Sequence, residues 1–175
     1  MTEEMRVSVP IKNIPKFKEV FLYILNKVGA KPNVGKTVLF KLLYFIDFDY
    51  YELYEEQLMG LEYIKNTYGP TPIDFDELCQ QMINDGDIEE VKSVYFYQQK
   101  KYLPHRTANI NILNAQEVKH IDATLHKYSS WPAERLSNLS HRDVPWIAAD
   151  EKGSISYESV FYRTPETSVR AYDEL

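Results

Sequence analysis

The run KLLYFIDFDYYELY, Lys41 to Tyr54, permits few structures around it. Wound as a helix, it sets Leu39, Leu42, Leu43, Ile46, Tyr50 and Leu53 along one side and Phe40, Tyr44, Phe48 and Tyr51 along another. A helix that is apolar nearly all round has to be enclosed by the rest of its chain, so this segment is the predicted core. Its polar strip is narrow, made of Lys41, Asp49, Glu52 and Glu56, and Asp47 falls outside it among Phe40, Leu43, Tyr51 and Tyr54. A carboxylate there must be hydrogen-bonded or paired, because burying it alone costs several kcal/mol or raises its pKa. Asp47 is therefore expected to be a buried structural anchor for the N–H groups of a neighbouring loop. The alternative makes it an acid, base or ligand.

The remaining elements can be placed around this helix. Pro15 opens an amphipathic helix carrying Phe17, Val20, Phe21, Ile24, Leu25 and Val28 up to Gly29, and Ala30 to Val34 separates it from the core helix, expected over about Lys36 to Glu55. Leu61 to Lys65 alternates as a strand and leads into a turn at Tyr68-Gly69-Pro70. Thr71, Pro72 and Asp74 have the order of a helix start, with Phe75, Leu78, Cys79, Met82 and Ile83 as its buried face. Val91 to Tyr97 and Lys101 to Leu103 are predicted to form a hairpin turning at Gln98 to Lys100. Asn114 with Glu117 forms a capping box before the stripe Val118, Ile121, Leu125 and Tyr128. A short helix follows Pro132, and Ser140 to Trp146 is expected to be a loop with an aromatic plug. The expected fold is α+β and mostly helical: a single domain of about five to six helices with a small antiparallel β hairpin or sheet. Its expected divisions are an N-terminal extension over 1–14, the domain over 15–163 and a polar, frayed C-terminal tail over 164–175.

Composition narrows the function. Asp and Glu outnumber Lys and Arg by 26 to 20, so general attraction to phosphate backbones is not expected. The 14 tyrosines suit a surface that binds protein. The single Cys79 excludes an intrachain disulfide and any zinc site with two thiolates, and no apolar run reaches signal-peptide or membrane-helix length, which implies a cytoplasmic protein away from membranes. AKPNVGKT, Ala30 to Thr37, fits a relaxed phosphate-loop pattern, but a helix precedes it where nucleotide hydrolysis needs a strand. The four histidines have no metal-binding spacing, and His120 and His126 are expected at the surface. No metal, cofactor or catalytic residue is therefore assigned. A winged-helix order of elements is an alternative, opposed by a third helix that carries Asp74, Asp76 and Glu77 and no base. An enzyme using Asp47 and His141 is a third reading.

The block Lys41, Leu42, Leu43, Tyr44, Phe45 and Asp47, the turn Tyr68-Gly69-Pro70 and the late Ser140, His141, Pro145 and Trp146 occur in an order that resembles the Panacea, or SocA-like antitoxin, domain. Ile46 stands where the family's block has alanine. The resemblance implies a bacterial or phage toxin–antitoxin role, in which the domain binds and blocks a protein toxin and carries no catalytic residue of its own. A toxin of basic character fits the acidic balance, and nucleic-acid binding by this chain alone is not expected. Tyr95, Tyr97 and Tyr102 are the candidate partner-binding residues. The toxin's identity and the oligomeric state are left open.

Overall fold

The structure is a computed structural model and describes residues 9–172, so most of the expected N-terminal extension and the end of the expected tail lie outside the described residues. Six α-helices are described: α1 Ile14–Val28, α2 Lys36–Tyr54, α3 Phe75–Asn84, α4 Ala115–Tyr128, α5 Ala133–His141 and α6 Val144–Ala148. Two antiparallel hairpins accompany them, β1 Tyr63–Asn66 with β2 Gly69–Pro72 and β3 Ile88–Val94 with β4 Gln98–Pro104. The fold is thus α+β and mostly helical, as the patterning predicts.

Local signals account for the element ends. Asn13 accepts a hydrogen bond from Lys16 N at the start of α1, and Asn114 and Glu117 form a complete capping box on α4. Three elements differ from expectation. Thr71 and Pro72 belong to β2, and α3 starts at Phe75 without a side-chain cap. The second hairpin pairs Val94 with Gln98, so its turn is Tyr95-Phe96-Tyr97 instead of Gln98 to Lys100. Aromatic residues favour strands in general, but here they sit in the turn because β4 extends back to Gln98. Part of the expected Ser140–Trp146 loop is helical, with Pro145 in the first turn of α6 where its missing N–H costs nothing.

The core helix is enclosed more completely than its sequence implies. Lys41, Asp49 and Glu52, three residues of the polar strip, are all buried. Arg163 neutralises the last two from the C-terminal side: Nη1 donates to Asp49 at 2.7 Å and to Glu52 at 3.1 Å, while Nε and Nη2 grip Asp143 at 2.9 and 2.8 Å. Tyr44 adds its hydroxyl to Asp143 at 2.6 Å. Glu52 then accepts from Ser168 Oγ, Val169 N and Tyr172 OH. The expectation of fraying from Pro165 onward is thereby corrected for the described residues, since an isolated buried carboxylate would otherwise need these donors.

Asp47 is fully buried and accepts from four donors: the backbone N–H groups of Met59, Gly60 and Leu61, and the Tyr63 hydroxyl at 2.7 Å. The loop after α2 is thus tied to the helix it leaves. Gly60, at φ 68°, lies where a Cβ would fall 2.1 Å from the Ile11 carbonyl, so the chain before α1 also packs on this loop. Burial pushes the Asp47 carboxyl up to about 6, and its hydrogen bonds oppose that rise.

Aromatic packing fills the space between the helices. Phe48 stacks on Tyr157 at 4.3 Å, with Tyr44 and Tyr63 around it, and Phe75 meets Phe21 and Tyr102 edge-on. His120, expected at the surface, is buried, with Nε2 2.9 Å from the Ile46 carbonyl and its ring against Tyr50. Burial lowers its pKa, and Nε2–H donates to that carbonyl.

Two substitutions test this construction. Asp47→Ala leaves buried N–H donors unsatisfied and is expected to cost about 3 kcal/mol in urea denaturation. Arg163→Met strands buried carboxylates and is expected to cost about 3–5 kcal/mol in the same measurement.

Candidate functional site

The three sequence blocks meet at one place. Lys41 projects from α2 against the start of β2, Ser140 and His141 end α5, and Trp146 lies in α6. Gly69 shows how close the approach is: at φ 133°, a Cβ there would fall 2.5 Å from Lys41 Cε, 2.8 Å from Lys41 Nζ and 3.2 Å from Ser140 Oγ. Only a glycine at this turn lets the backbone pass over the lysine.

Each side chain is held from a different element. Ser140 is fully buried and donates to the Ser137 carbonyl at 2.7 Å within its own helix. His141 stacks on Trp146 with centroids 4.8 Å apart and bonds to the Tyr68 backbone, whereas its Nε2 is buried without a partner. Lys65, from β1, places its amine 5.2 Å from the Trp146 ring centre and donates to the Ala149 carbonyl at 3.3 Å. Pro145 is buried beside this corner, and Tyr68 is 79% exposed at its rim.

Lys41 is only 2% exposed, and burial alone lowers its pKa from 10.5 to about 8. His141 is also lowered, by burial first and then by the neighbouring Lys41 and Lys65 charges. Leu42, Leu43, Tyr44 and Phe45 are core residues. Asp47 is engaged with Met59, Gly60, Leu61 and Tyr63, and among the described residues no hydrogen bond joins it to His141.

The second candidate surface is the β3–β4 turn. Val94, Tyr95, Phe96 and Tyr97 are 77%, 37%, 86% and 45% exposed, with the three rings packed on one another. Tyr102 is 2% exposed and packs against Phe21 and Phe75, which removes it from any contact surface. Sequence reasoning missed Phe96, although three consecutive aromatics beside polar glutamines are a visible signal. Among the described residues, no group of three or more His, Cys, Asp or Glu is placed to hold a metal ion.

The family model described as "Antitoxin SocA-like, Panacea domain" matches residues 39–147, more than half of the chain. The chain belongs to the SocA-like antitoxin family. Comparison with curated proteins and with solved structures finds no match. The matched region of this Panacea domain begins in α2 and ends in α6, so it contains Lys41, Gly69, Ser140, His141 and Trp146. It also contains the aromatic turn but stops before Arg163.

Lys41 gives this site a pH signature. The amine loses its proton more easily folded, at about 8, than unfolded, at 10.5. Between these values the unfolded chain binds more protons, so this group's contribution to stability rises with pH. Lys41→Met is expected to remain folded, to hold or raise the urea midpoint at neutral pH, and to remove that rise when midpoints of the two proteins are compared across the window.

Proposed function

We propose that this Panacea domain is the antitoxin of a toxin–antitoxin pair and neutralises a protein toxin by direct contact in the cytoplasm. Family membership supports the role, and the β3–β4 turn is the observation that carries the contact. Four consecutive apolar residues, Val94 to Tyr97, stand in solvent at the end of a hairpin whose other side chains are largely polar. Exposing that surface costs free energy that a protein partner recovers on binding. Tyr95, Phe96 and Tyr97 suit the role of anchors, because aromatic residues dominate the few positions that carry binding energy. The net charge of −6 favours encounter with a basic toxin and opposes association with nucleic acid.

Membership of an antitoxin family supports a role that is not enzymatic. No catalytic residue is proposed.

The test is co-expression with candidate toxins encoded beside this gene. Growth rescue is expected for one of them, with a complex that survives purification. Failure to rescue growth from every candidate would sink the proposal. Phe96→Asp combined with Tyr97→Asp is expected to weaken the complex by about 30-fold or more while leaving the thermal midpoint unchanged, because neither side chain supports the core. Full retention of affinity in that variant would move the contact elsewhere.

A further inference from the structure

Beneath the Tyr68–Gly69 turn three basic side chains, Lys41, Lys65 and His141, come together with no ion-paired acid among the described residues. His141 senses both Lys41 and Lys65, and these three groups come from α5, α2 and β1. Among the described residues, Lys41 Nζ has no hydrogen-bond or ion-pair partner, and burial alone accounts for its lowered pKa. Lys65 has a carbonyl and an indole ring as neighbours. This arrangement contrasts with Arg163, whose fully buried side chain meets three carboxylates. Among the described residues, no carboxylate forms an ion pair with Lys41, Lys65 or His141.

One buried polar atom there is unsatisfied, His141 Nε2, and Lys41, only 2% exposed, shows no partner for its amine among the described residues. A buried donor or acceptor left without a partner costs free energy that folding does not recover, so such atoms mark a position for something that binds. The corner is otherwise rigidly built: His141 lies against Trp146, Lys65 reaches the same indole, and Gly69 brings backbone within contact of the lysine. Exposed Tyr68, whose backbone bonds His141, borders it.

We propose that Lys41, His141 and Lys65 form a receptor site for an oxyanionic group, a carboxylate or a phosphate, that enters beside the Tyr68–Gly69 turn. The Lys41 ammonium supplies the buried charge-assisted donor, and protonated His141 donates from Nε2. Lys65 contributes charge from the rim. The bound anion raises the pKa of both buried groups, so binding takes up protons and weakens as pH rises through the His141 and then the Lys41 titration. The oxyanion has two sources: an acidic side chain or C-terminus of a protein partner, or a small phosphate compound.

The experiment uses the full chain without any toxin, so its failure leaves the neutralisation reading untouched. Sodium acetate and inorganic phosphate are titrated separately against protein with 15N-labelled histidine, with sodium chloride as the ionic-strength control. Expected is a saturable shift of the His141 Nε2 resonance with at least one oxyanion, a raised His141 pKa, and affinity at least about tenfold weaker in Lys41→Met. Lys65→Gln, at a half-exposed position, is expected to weaken binding as well and provides a second variant. Preference for acetate assigns the site to a partner's carboxylate, and preference for phosphate assigns it to a small phosphate compound. The proposal is overturned if neither oxyanion shifts His141 beyond the chloride control in the folded wild-type protein, or if the response is unchanged in both variants.

Discussion

The rest of the structure depends on one guanidinium. The Arg163 side chain is fully buried, and it carries the positive charge that lets Asp49, Glu52 and Asp143 remain inside a domain whose central helix is enclosed along most of its length. The bidentate grip on Asp143 joins the end of α5 to the C-terminal segment, and the bonds to Asp49 and Glu52 attach both to α2. One cation facing three acids leaves negative charge in excess, and burial pushes the Asp49 carboxyl up to about 6. Hydrogen bonds from Ser168, Val169 and Tyr172 offset the desolvation of Glu52, whose carboxyl is held below its ordinary range. Polar bonds and aromatic packing thus serve the same end, the closure of the molecule around α2.

Asp47 and Lys41 occupy the same helix and show two outcomes of burying charge. Asp47 faces a loop that supplies four donors, and its position is fully explained by the backbone it fixes. Lys41 faces a glycine turn and a serine that already bonds its own helix, and the neighbouring His141 has its Nε2 buried without a partner. The first arrangement is complete within the chain, whereas the second leaves unused donors and acceptors. This difference separates a structural polar residue from a candidate binding one more clearly than burial does.

Much of the fold was legible because its signals are local. The helix of α1, the Asn114–Glu117 box and the all-round apolarity of α2 each arise from residues a few positions apart, where periodicity and capping chemistry act. The odd position of Asp47 could be read for the same reason. The partners of Asp49 and Glu52 were not legible, since Arg163 lies 114 and 111 positions away and pattern says nothing about contact at such separation. His120 was misplaced because polarity suggests solvent, while the Ile46 carbonyl offers it a buried acceptor. For the site, the sequence blocks named its residues but could not reveal that Lys41 lacks a partner. Tyr95 and Tyr97 could be named as contact residues, but not that they form the hairpin's tip with Phe96: aromatic residues suit a strand interior, and only the register puts them in the turn.

The distance in sequence between α2 and Arg163 also bears on how the molecule is made. As the chain emerges from a ribosome, α2 appears with Asp49 and Glu52 unneutralised, and the residue that balances them follows more than a hundred positions later. Loop-closure entropy must be overcome before that contact yields any stability, which places closure of the core late in folding. A nascent chain interrupted before Arg163 would have most of the apolar core but none of the charge that seals it.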